Sequence, residues 1–227
     1  MAGHSKFKNI MHRKNAQDAK RAKVFTKIGK ILTIAARSGI DPKMNPSLRS
    51  ALDTAKRANM PNENIQRAIN KAADKNSDIE VRYTGYGPEN TAFLIEAITD
   101  NTNRTVTELR MLFNKHGNGL TELSFMFDHV MIANIENTDA DTVLETLIDY
   151  DIKDIYEDDG INVIADFSQM SEIQKALDAK FEKVICEAIY KPTNMINVND
   201  IDKLSKFIDI LEDHDDVQNA WHNCESI

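Results

Sequence analysis

The 227-residue sequence holds only two cysteines, and Cys186 and Cys224 share no CxxC spacing. A disulfide framework is excluded, and a reducing, cytoplasmic compartment is the expectation. Long apolar runs are missing too. The longest uncharged apolar run, Ile31-Leu32-Thr33-Ile34-Ala35-Ala36, is far too short to cross a bilayer. The basic N-terminus has no apolar core of the secretory kind. No nucleophile elbow, Walker loop or Ser-His-Asp grouping occurs, and His4 and His12 stand in an exposed basic arm that does not suit acid–base work. The expectation is a protein that is not an enzyme and that carries no metal or other cofactor.

The most telling scarcity is of acid at one end. Residues 1–78 contain 17 lysines and arginines against 6 acids, a net of +11, whereas residues 79–227 contain 11 against 30, a net of −19. The whole-chain charge of −8 conceals this reversal. A basic module joined to an acidic body suits a polyanionic partner at one end only. Within it, Lys6, Lys8, Arg13, Lys14, Lys20, Arg21, Lys23, Lys27 and Lys30 face a single acid, Asp18. A merely solvated helix face alternates its charge signs, and this one does not. Lys6, Lys8, His12, Arg13, Lys14, Lys20, Arg21, Lys23 and Lys27 are the predicted nucleic-acid contacts. The cations would neutralise phosphates, while Phe7, Asn9 and His12 could stack on or hydrogen-bond to bases.

Periodicity divides the chain into three. Ala16, Ala19, Phe25, Ile28, Leu32 and Ala35 recur at helical steps over residues 15–37, and Ser38-Gly39 stops them. Asn45-Pro46 opens a second helix, Met60-Pro61 breaks it, and a third runs through Ile65, Ala68, Ile69 and Ala72. Beyond Asp78 the period changes. Strands are predicted at 93–98 and 123–127 around a helix at 105–116. Next come a strand at 130–135, a helix at 140–150, strands at 152–156 and 161–166, a helix at 172–181 and a strand at 184–190. This is the β-α-β-β-α-β order of a ferredoxin-like unit. A last helix, 201–212, and strand, 217–222, would complete the earlier unit. The fold class is therefore α+β in three domains, an N-terminal all-helical domain and two ferredoxin-like α/β domains, the third inserted into the second. The boundaries are 1–78, then 79–129 plus 193–227, with 130–192 inserted.

Three lesser features have bland readings. Gly85-Tyr86-Gly87-Pro88 lacks the further glycines and following helix of a phosphate loop and reads as a turn between strands. Glu157-Asp158-Asp159-Gly160 reads as a hairpin turn. Glu212-Asp213-His214-Asp215-Asp216, with His222 and Cys224 nearby, lacks zinc-type pairing and reads as a solvated turn.

The run from Met1 to Lys14, continued by Asp18-Ala19-Lys20-Arg21-Ala22-Lys23-Val24-Phe25-Thr26-Lys27, closely resembles the opening of the YebC/PmpR family. So do Asn45-Pro46-Ser47-Leu48-Arg49 leading to Ala58-Asn59-Met60-Pro61, Gly85-Tyr86-Gly87-Pro88 leading to Thr99-Asp100-Asn101-Thr102-Asn103-Arg104-Thr105, and the closing Val217–Asn223. Phe7 stands where the family usually has Trp, and a turn is expected at Asp128-His129. The resemblance implies one helical and two α/β domains and a non-catalytic role in gene expression. Family members are described as DNA-binding transcriptional regulators, others as ribosome-associated translation factors or mitochondrial translational activators. The implied partner is thus DNA, or alternatively ribosomal RNA, with no membrane involved.

Overall fold

The computed structural model describes residues 21–73 and 78–225. These form two compact units. One runs through the N-terminal helices to Glu122 and takes up the chain again over Val198–Ala220; the other comprises Leu123–Asn197 and Trp221–Glu225. The fold is mixed helix and sheet, with a helical N-terminal region and two antiparallel sheets.

In the first unit, α1 is helical over the described residues 21–36, followed by α2 (Pro46–Arg57) and α3 (Asn62–Lys71). Their apolar stripes meet in one core, with Ile28, Leu32 and Ala36 of α1 against Leu48, Ala51 and Ala55 of α2 and Ile65 and Ala68 of α3. Gly39, at φ 136°, turns the chain out of α1. Asn45 then fixes the entry to α2. Its side-chain oxygen accepts from Leu48 N at 3.0 Å, and its amide donates to Ala35 O and Gly39 O at 2.7 Å each. This buried cap confirms the Asn-Pro helix start.

The sheet of the first unit has the order β3-β1-β2-β8, built from β1 (Ile79–Tyr86), β2 (Ala92–Thr99), β3 (Gly119–Leu120) and β8 (Val217–His222). α4 (Thr102–His116) and α7 (Ile201–Glu212) accompany it. Phe93 of β2, Phe113 of α4 and Phe207 of α7 meet edge to face at centroid distances of 5.1–6.0 Å. Gly87 makes that possible, because a Cβ there would lie 2.5 Å from the Phe93 ring and 2.9 Å from that of Phe207. Gly85 and Tyr86 thus end β1, and the turn to β2 begins at Gly87, which makes room for the aromatic cluster.

Three local expectations are corrected. β1 was not foreseen. The strand expected at 123–127 is a 3-10 turn, Ser124–Met126, with Phe125 exposed, and only Phe127 belongs to a strand. Asp128 and His129, expected in a turn, lie inside β4 (Phe127–Ile135), where they pair with Lys191 and Tyr190.

The second unit follows its predicted order. β4, α5 (Ala140–Thr146), β5 (Ile152–Glu157), β6 (Ile161–Asp166), α6 (Met170–Asp178) and β7 (Val184–Pro192) give the strand order β5-β6-β4-β7. All neighbouring strands are antiparallel, the arrangement of a split βαβ unit. Met131, Ala133, Ile135, Val163 and Ala165 form the sheet's inner face, and Val143, Leu147, Ile173 and Leu177 cover it. The β5–β6 hairpin turns at Asp159 (φ 47°) and Gly160 (φ 115°), as the acidic-Gly signal indicated. Among the described residues, no helix is long and apolar enough to cross a membrane. Cys186 and Cys224 are free thiols, and burial raises that of Cys186 to about 11, leaving it unreactive at neutral pH.

Candidate nucleic-acid interface

Of the predicted contacts, Lys6, Lys8, His12, Arg13, Lys14 and Lys20 lie outside the described residues. Arg21, Lys23 and Lys27 lie on α1, and the structure sends them in different directions. Lys23, Lys27 and Lys30, one helical stripe, converge on the end of α7 and the turn after it. Lys23 Nζ donates to Asp213 O at 3.1 Å and meets the Asp213 carboxylate at 2.5 Å. Lys27 Nζ donates to Glu212 O at 2.6 Å, and Lys30 Nζ to Asp215 O at 2.8 Å. The last carbonyls of a helix have no partner within it and carry the negative end of its dipole. The ammonium groups of Lys23 and Lys27 satisfy both, and that of Lys30 serves the turn beyond the helix. Burial pushes the Lys27 ammonium below its usual range, and Glu212, Asp213 and Asp215 oppose that shift.

The acidic segment 212–216 is a turn with Glu212, Asp213 and Asp215 exposed, as expected, but its last residue is not solvated. Asp216, only 3% exposed, is the centre of a network. It accepts from Lys30 Nζ at 2.5 Å, Thr105 Oγ1 at 2.7 Å and Arg104 Nη2 at 3.0 Å. Burial alone would raise its pKa, but the bonds from Lys30, Thr105 and Arg104 outweigh it and hold the carboxyl far below the ordinary range. Asn101 supports this arrangement by capping α4, its side chain accepting from Arg104 N at 3.1 Å. The Thr99–Thr105 motif thus has a structural role, since it presents Arg104 and Thr105 to Asp216.

Glu108, His214 and Asp216 lie with ligating atoms close enough to hold a metal ion. The donor set does not fit one. Both oxygens of Asp216 are already engaged, two of the donors being cations. His214 Nδ1 accepts from Asp216 N at 3.1 Å, which directs its other nitrogen to Glu108 at 3.0 Å. The trio is a hydrogen-bonded brace.

Arg21 points elsewhere. Its Nη2 donates to Asn59 O at 3.4 Å, and its guanidinium lies 5.3 Å from the centroid of the Phe25 ring. This places the start of the described α1 beside the turn between α2 and α3. On α3, Ile65 and Ala68 face the core, while Asn62, Gln66, Arg67 and Asn70 point away from it. Sequence reading did not single out this amide- and arginine-bearing face. Its signal was present, since asparagine is a poor helix former and three occur in these ten residues.

Residues 5–75 match the model of the TACO1/YebC protein N-terminal domain, and residues 79–224 match that of the TACO1/YebC second and third domain. The chain belongs to the TACO1/YebC family. The crystal structure of a conserved hypothetical protein, Aq1575 from Aquifex aeolicus, is similar in sequence and fold. It is 33% identical, with a TM-score of 0.73 over 92% of this chain and 91% of that one. Membership in the TACO1/YebC family supports a role as a transcription regulator or translational activator.

Proposed function

We propose that this protein is a cytoplasmic, non-catalytic regulator of gene expression that binds nucleic acid through its basic N-terminal region, and that its target is RNA of the translation machinery. The observation that carries the binding is the +11 charge of residues 1–78 beside the −19 of residues 79–227. The preference for RNA rests on α1, where Lys23, Lys27 and Lys30 are occupied by the end of α7 and the turn after it. This leaves little cationic stripe on that face to follow a duplex, while a narrow groove opens between α1 and α3.

A second reading, a DNA-binding transcriptional regulator, draws on the short turn joining α2 to α3 and on Gln66, Arg67 and Asn70 on the outer face of α3. Those side chains are of the type that reads base edges in a major groove. Sedimentation of the tagged protein from a lysate separates the two. The RNA reading expects co-sedimentation with ribosomes that RNase abolishes and DNase leaves intact. A bound pool released by DNase alone would establish the DNA reading.

A further inference from the structure

The groove between α1 and α3 is the feature that the fold and the lysine contacts leave unused. It has a volume of about 380 Å³, and its lining includes Phe25, Thr26, Met60, Asn64, Arg67 and Asp78. That size falls at the lower end of the range for small-ligand sites, roughly 300–1,000 Å³. A duplex cannot enter a space of this size, and a single splayed nucleotide can.

The charges around it are unevenly spent. Lys30 is held by Asp216, and Lys71 by the buried Asp78 at 2.7 Å. Arg21 and Arg67, one contributed by each helix, have no carboxylate partner among the described residues. The side chain of Asn64 likewise has no hydrogen-bond partner among them and lines the groove. Gly29 leaves the α1 wall without a side chain, the nearest atom to a Cβ placed there being Met60 Cε at 4.0 Å.

We infer that this groove seats one nucleotide of a single-stranded RNA, with Arg21 and Arg67 on its phosphates and Asn64 on the edge of its base. The inference rests on the RNA-binding reading and adds the site. Each part has its chemistry. Guanidinium groups suit phosphate oxygens, and the Asn64 amide offers both a donor and an acceptor to a base. Phe25 and Met60 give the base an apolar wall. Asp78 is buried and neutralised by Lys71, so it does not repel the phosphates as a free carboxylate would. In sequence, the basic N-terminal segment, whose cations are expected to hold the strand, leads directly into Arg21, which lies beside the α2–α3 turn.

The test uses the full chain and a fluorescein-labelled ten-nucleotide single-stranded RNA of mixed sequence, with affinity read by anisotropy. Arg67→Ala should weaken binding about tenfold and make the salt dependence shallower by roughly 0.7, the value of one phosphate on a single strand. Asn64→Ala should leave that slope unchanged and alter the ranking of homopolymer competitors. In 15N-resolved NMR spectra, RNA should shift the amides of Thr26, Asn64 and Arg67. Neither side chain belongs to the buried core, and unchanged thermal unfolding confirms that the variants are folded. Unaltered affinity, slope and base ranking in both variants, with the amide signals unmoved, would overturn the groove while leaving RNA binding intact. A full chain that does not bind the RNA would overturn both readings.

Discussion

Replacing Asp216 by Asn preserves the shape of the side chain and removes the charge on which Lys30, Arg104 and Thr105 converge. The bond to Lys30 matters most, because that ammonium side chain is only 14% exposed and Asp216 is its carboxylate partner. Charge-assisted hydrogen bonds contribute about 1.5–3 kcal/mol each, and a buried charge left without its partner costs more. Arg104, half-exposed and also paired with Asp100, adds little. The expected loss is about 3 kcal/mol, or roughly 6–12 °C in Tm for a chain of this size. The loss should depend on pH with a definite sign. The folded carboxyl ionises at lower pH than the unfolded one, so its contribution is complete above the ordinary carboxylate range, about pH 4–5. It disappears as the pH falls through the folded value. Urea unfolding followed by circular dichroism should therefore show wild type well above Asp216→Asn at pH 6, with the two drawing together as the solution is acidified below the ordinary carboxylate range. A gap below about 0.5 kcal/mol at pH 6, or one that does not narrow on acidification, would refute the network's role.

Three further substitutions probe other parts of the account. Lys23→Ala with Lys27→Ala should lower stability by about 1–2 kcal/mol through the loss of cations at the end of α7, and change RNA affinity less than about twofold. A large affinity loss in an anisotropy titration would return these lysines to the phosphate-binding set. Gly87→Ala forces a methyl into the Phe93 and Phe207 rings and should cost about 1–3 kcal/mol by urea denaturation. Asn45→Ala removes a helix cap and two buried donors at once and should cost about 2 kcal/mol, read from the urea midpoint.

What the sequence disclosed was local. The limits of α7 and β8, the Asn-Pro start of α2 and the acidic hairpin at 157–160 were legible because a cap, a turn residue or an apolar period marks each one. β1 escaped because charged and polar residues punctuate it and Gly85 stands near its end, although it pairs along its full length with β2. Leu123–Phe127 was misread because its apolar residues imitate a strand, while Phe125 in fact projects into solvent. The largest revision came from long range. Lys27 and Glu212 are separated by 185 residues, and no pattern near either one announces that they meet. Charge counting found the basic module and could not tell which of its cations the fold itself consumes.

The central claim, that the basic N-terminal region grips nucleic acid electrostatically, is tested most directly by the salt dependence of binding in one pair of proteins. Anisotropy titrations of wild type and of Arg13→Ala with Lys14→Ala would be run against single-stranded RNA and duplex DNA from about 50 to 200 mM salt. The account predicts a steep decline of log K with log salt in wild type, tighter binding to RNA, and a slope for the double variant shallower by roughly 1.4 on RNA. Affinity that ignores salt, or a double variant that binds with an unchanged slope, would contradict it.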